Sequence, residues 1–101
     1  MVEIIVKDFL NSHITNADGD KLRLEIIKHF KNGDPVAVSL KDIYGLNSSF
    51  INSAFIDLLE DYTFDYIKNN LNFVNTNKQI NRMILSRFRF EVNKMESVAY
   101  C

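Results

Sequence analysis

The feature that most limits the possible folds is a change of apolar period between residues 35 and 62. In PVAVSL, Val36, Val38 and Leu40 alternate with the small Ala37 and Ser39. Past a polar loop, Ile51, Ala54, Phe55, Leu58, Leu59 and Tyr62 recur at i, i+3, i+4, i+7, i+8 and i+11. Period two marks a strand whose residues point alternately to opposite faces, and a period near 3.6 marks an amphipathic helix. The small residues opposite the valines fit a central strand covered by a helix. A strand followed by such a helix buries its apolar stripe by laying the helix back across the sheet, with right-handed crossovers between strands.

The flanking segments repeat the alternation. VEIIVKDF opens as a strand, with Val2, Ile4 and Val6 on one face and Ile5 on the other. NSHITNADGD is polar and turn-like; Thr15 with Asp18 three residues on predicts a helix cap, and Asp20 is a later candidate start. Leu22, Ile26, Ile27 and Phe30 then follow at helical spacing until KNGD, where Gly33 takes the C-terminal cap position. TFDYIKNN reads as a helical piece and LNFVN as a third strand. Asn77 is positioned to cap a last helix whose apolar face is Ile80, Met83, Ile84 and Phe88 and whose end past about residue 92 is open.

At 101 residues and 47% hydrophobic, the expectation is a single domain over 1–101, with its core at about 15–90 and a loose tail from about 93. A net charge of −1 supplies no global attraction to nucleic acid or anionic lipid. The charge is unevenly spread, with 7 Lys/Arg against 11 Asp/Glu in residues 1–76 and 5 against 2 in residues 77–101. Cys101, the one cysteine, excludes an intrachain disulfide and a Cys-based zinc site and is compatible with a reducing cytoplasm. Neither an 18-residue apolar run nor a basic-then-apolar leader occurs, so the expected setting is cytoplasmic, without membrane contact.

The inventory for chemistry is thin. His13 and His29 have no flanking ligand spacing and read as ordinary histidines. Asp57, Glu60, Asp61 and Asp65 could supply an acid/base pair, but their placement reads as a solvated helix face. Gly19, Gly33 and Gly45 are isolated and form no phosphate-cradling motif. The expectation is therefore no enzyme, no metal and no cofactor. Lys78, Arg82, Arg87, Arg89 and Lys94 interleave with Phe88 and Phe90, which admits a nucleic-acid surface or regulatory adaptor beside the plainer reading of a cationic outer helix face. Nucleic acid ranks as the lesser partner, and an exposed edge at the N-terminal strand is compatible with a homo-oligomer.

Between the strand and the second helix stands KDIYGLNSSF. Asn47 or Ser48 can cap the helix, but capping does not call for two serines. A phosphate at this tip would gain from the helix N-terminus, and its charge would remake any surface docked there. The run VAVSLKDIYGLNSSFINSAFIDLL resembles the strand–loop–helix core of STAS domains, the fold of bacterial anti-sigma factor antagonists. It resembles more closely the STAS-like family of uncharacterised bacterial domains, whose pattern there is Ser-Ser-Phe-(Ile/Leu)-Asn-x-Ala-Phe, matched by Ser48, Ser49, Phe50, Ile51, Asn52, Ala54 and Phe55.

The resemblance implies an α/β STAS-like sandwich, a small mixed β-sheet with helices packed mainly on one face. It implies a regulatory interaction module that docks a protein partner such as a GHKL-type ATPase or kinase. In the antagonists the first serine of the pair is phosphorylated by that partner, which releases the domain. Carried over, this makes Ser48 the candidate phosphoacceptor and Ser49 the second, within a partner-binding tip of Tyr44, Asn47, Ser48, Ser49, Phe50 and Asn52. Asn47 stands in place of the antagonists' aspartate and Phe50 in place of their glycine, while Ile56 occupies a frequent glycine position of the STAS-like family.

Overall fold

The computed structural model describes residues 2–10 and 15–99, the last five of these as backbone only. The element order is β1 (Val2–Ile5), α1 (Val6–Phe9), α2 (Asn16–Lys31), β2 (Val36–Ser39), α3 (Ser48–Ala54), a 3-10 segment (Ile56–Glu60), α4 (Phe64–Asn70), β3 (Leu71–Val74) and α5 (Lys78–Ala99). His13 and Cys101 lie outside the described residues.

Among the described residues the three strands form one sheet in the order β1-β2-β3, with both pairings parallel. The expected α/β class holds, but the sheet is parallel where a mixed one was expected. Each connection contains helix and crosses back over the sheet, so successive strands run the same way. In register, Ile4, Val38 and Phe73 share one face. The Phe55 ring meets Phe73 edge-on at 4.9 Å, which places the α3 region on that face. The opposite face carries the exposed Glu3 and Asn72 around Ala37. Helices thus gather on one face, and the core between them and the sheet includes Leu22, Ile26, Val36, Val38, Ile51 and Ile80.

Local chemistry explains the ends of the elements. Thr15 and Asp18 close a reciprocal capping box at the start of α2. At its other end Gly33 adopts φ 80°, and its N–H and that of Asp34 donate to the carbonyls of Phe30 and His29. Thr63 caps α4, and Asn77 accepts from Ile80 N–H at 2.9 Å to cap α5. α5 continues past residue 93 to Ala99.

Two elements depart from the periodic reading. The N-terminal strand stops at Ile5, and Val6 begins the single turn α1 while remaining fully buried. The second helix is not continuous to Tyr62: α3 ends at Ala54, Phe55 leaves helical geometry, and the chain rewinds as the 3-10 segment. Ile56 and Leu58 are both buried. Two residues apart in an α-helix, they would point about 200° apart, so the break at Phe55 and the tighter winding are what bring both inward.

α2 and α3 meet at Gly19. A Cβ there would lie 2.7 Å from the Ser53 Cβ and 2.9 Å from the Phe50 carbonyl oxygen, so only glycine permits this separation. Gly19→Ala should lower stability by about 1–3 kcal/mol through overpacking, despite its better helix propensity. Gly45→Ala, whose Cβ would meet nothing within 4 Å, should stay within about 0.5 kcal/mol of the parent. Urea unfolding of the two variants checks the contrast.

Candidate functional site

The loop from β2 to α3 is held from beneath. Ile43 and Leu46 are 3% and 7% exposed, so the loop is pinned in the core at two points three residues apart. Tyr44 between them is pushed outward to 79% exposure. The Asn77 side-chain amide donates to the Tyr44 carbonyl at 3.4 Å, tying the loop to the start of α5. On the other side Lys7 Nζ donates to the carbonyl of Asp42, a residue with φ 62°.

Asn47 is the cap of α3. Its side-chain oxygen accepts from Phe50 N–H at 2.8 Å, satisfying one of the N–H groups that a helix start leaves unpaired. The two serines are thereby released from the capping role: Ser48 and Ser49 fall in the first turn, exposed to solvent. One turn beyond Ser48, Asn52 accepts from Arg87 Nε at 3.1 Å, which links α3 to α5.

Phe50 requires a correction. It was expected on the partner-binding tip, but it is fully buried and packs edge-on against Phe55 with ring centroids 6.3 Å apart. The helical turn that exposes Ser48 and Ser49 rotates Phe50 toward the core. It supports the tip from below. Tyr44, Asn47, Ser48 and Ser49 are exposed, and Asn52 is partly buried at the rim.

The basic residues divide into two groups. Arg82 and Arg89 line one shallow groove with Leu85, Ser86, Phe90 and Asn93, and Lys78 lies one turn before Arg82 on the same helical stripe. Arg87 instead turns toward Asn52 and lies 5.5 Å from the Phe90 ring centroid. The acidic cluster also divides. Asp57 pairs with Arg23 at 3.3 Å, whereas Glu60, Asp61 and Asp65 are exposed. Arg23 further donates to Asp20 and to the Ser53 carbonyl, so this group fastens α2 to α3.

Among the described residues no group of three or more His, Cys, Asp or Glu side chains is placed to hold a metal ion. His29 is bonded to Glu25 at 3.2 Å. The Tyr62 phenol is pushed up from its ordinary value by burial, with Tyr66 and Asp61 adding to the effect. No described helix is long and apolar enough to cross a membrane.

A family model described as a STAS-like domain of unknown function matches residues 18–81, from the start of α2 into the first turn of α5. No curated protein and no solved structure matches the chain.

The division of labour at the tip has a direct test. Asn47→Ala should cost about 1 kcal/mol through loss of the cap. Ser48→Ala and Ser49→Ala should each stay within about 0.5 kcal/mol of the parent in the same urea titrations.

Proposed function

The chain belongs to the STAS-like domain family of unknown function, and we propose that it is a non-enzymatic regulatory module that docks a GHKL-type ATPase or kinase through the β2–α3 tip. The observation that carries this reading is the solvent-facing group of Tyr44, Ser48 and Ser49 above a buried support of Ile43, Leu46 and Phe50. An exposed tyrosine on a fixed backbone offers a large contact area at low entropic cost, as partner-binding surfaces require.

In this reading Ser48 is the phosphoacceptor and Ser49 the second choice. Asn47 already fills the capping role, so a phosphate on Ser48 leaves that hydrogen bond in place. The added charge of about −1.5 to −2 falls within the proposed docking surface and changes what a partner meets there. Phe50 has a structural part only. The alternative reading, a nucleic-acid adaptor using Lys78, Arg82, Arg87 and Arg89, is weakened because Arg87 is engaged by Asn52.

Affinity capture from the native host, with intact-mass analysis of the recovered domain, tests the proposal. The parent should recover an ATPase of the GHKL class, and Tyr44→Ala and Ser48→Asp should each reduce recovery by about tenfold, the equivalent of about 1.4 kcal/mol. A phosphorylated fraction of the recovered parent should disappear in Ser48→Ala. Undiminished recovery by both Tyr44→Ala and Ser48→Asp would exclude the tip as the docking surface.

A further inference from the structure

A second surface lies at the far edge of the sheet. Among the described residues β1 pairs with β2 alone, and its other side is an open strand edge. Val2 N–H donates to the Pro35 carbonyl at 3.0 Å. Because a strand alternates its backbone groups with period two, Val2 and Ile4 turn theirs toward β2 while Glu3 and Ile5 turn theirs outward. The Glu3 N–H and C=O and the Ile5 N–H are therefore presented for pairing with another strand.

The edge runs along a groove of about 330 Å³. It is lined by β1, by Asp8 and Phe9 of α1 and by Glu25 and His29 of α2. Phe9 is 42% exposed here. Glu3 and Asp8 are both exposed. Glu25 is hydrogen-bonded to His29 at 3.2 Å and lies 3.9 Å from Lys28. Lys7 reaches away to the Asp42 carbonyl. The groove thus combines outward backbone groups, an apolar ring and a carboxylate surplus.

We propose that this edge receives an extended segment of another protein in which Lys or Arg alternates with apolar residues, adding a fourth strand beside β1. Main-chain hydrogen bonds to Glu3 and Ile5 supply the pairing, and the cations, which share one face of the added strand, stand on the face that carries Glu3, with Asp8 completing the carboxylate surface. Charge selects this occupant over a second copy of the chain. Two β1 edges brought together would oppose Glu3 and Asp8 of one molecule to the same carboxylates of the other, and a charge on an edge strand is a recognised guard against self-pairing. The other edge, β3, lies beside an apolar groove whose one charged lining residue is Lys68, and carries no comparable signature.

The test uses the full chain and two synthetic octapeptides with blocked ends, one alternating Lys with Val and the other Glu with Val. Amide NMR and hydrogen exchange should show that the Lys/Val peptide binds and protects the Glu3 and Ile5 amides, while the Glu/Val peptide does neither. Glu3→Pro removes an N–H that β2 does not use, and proline is tolerated on such an edge. It should weaken the Lys/Val peptide by at least about tenfold. Protection of the Ala37 and Ser39 amides, which face β1, reports whether the sheet survives that substitution. Asp8→Lys, outside the strand, should weaken the peptide by about twofold to fivefold. Equal binding of both peptides, binding that leaves the Glu3 and Ile5 amides unprotected, or a concentration-dependent dimer protected along β1 would each overturn the assignment.

Discussion

The close approach of α2 to α3 at Gly19 is the contact on which the placement of the tip depends. Without a Cβ at that position α3 settles against the first turn of α2, with the Phe50 carbonyl and Ser53 filling the space. Arg23 then joins α2 to α3 and to the 3-10 segment through Asp20, the Ser53 carbonyl and Asp57. Packing supplies the proximity and the guanidinium supplies direction, because its planar fork fixes several acceptors at once. With the body of α3 fixed this way, Asn47 closes its N-terminus and the loop ahead of it is held by Ile43 and Leu46. The exposure of Tyr44, Ser48 and Ser49 is a consequence of those anchors.

The site is therefore built in two layers. Phe50, Phe55 and Phe73 form a chain of edge-on rings from the start of α3 to β3. Above it, exposed polar groups and one tyrosine are carried on a short, capped backbone. A change in the upper layer alters what a partner meets at little cost in stability. A change in the lower layer moves the whole tip, so loss of binding there carries no information about contact.

Much of this was legible in the residues. Caps at Thr15, Gly33 and Asn77 and the period-two run of β2 are local signals, each set by a hydrogen bond or side-chain alternation within a few residues. What local pattern leaves undetermined is orientation. Phe50 beside two polar residues reads as a helix-edge aromatic; its burial depends on how far α3 is rotated toward the sheet, which the Gly19 contact sets. Gly19 itself reads as part of a turn, since nothing nearby announces a helix that will press against it. The break at Phe55 was hidden for a related reason: the stripe from Ile51 to Tyr62 satisfies helical spacing, but Ile56 also has to be buried. Strand direction likewise follows from the crossovers and not from any strand's composition.

The account rests on the tip being the surface that a signalling partner covers. Hydrogen–deuterium exchange of the domain alone and bound to the protein partner captured with it reads this most directly. The account predicts slowed exchange concentrated at residues 43–52, with the outer face of α5 unchanged. Slowing confined to residues 78–94, with the loop and α3 exchanging as in the free protein, would contradict it.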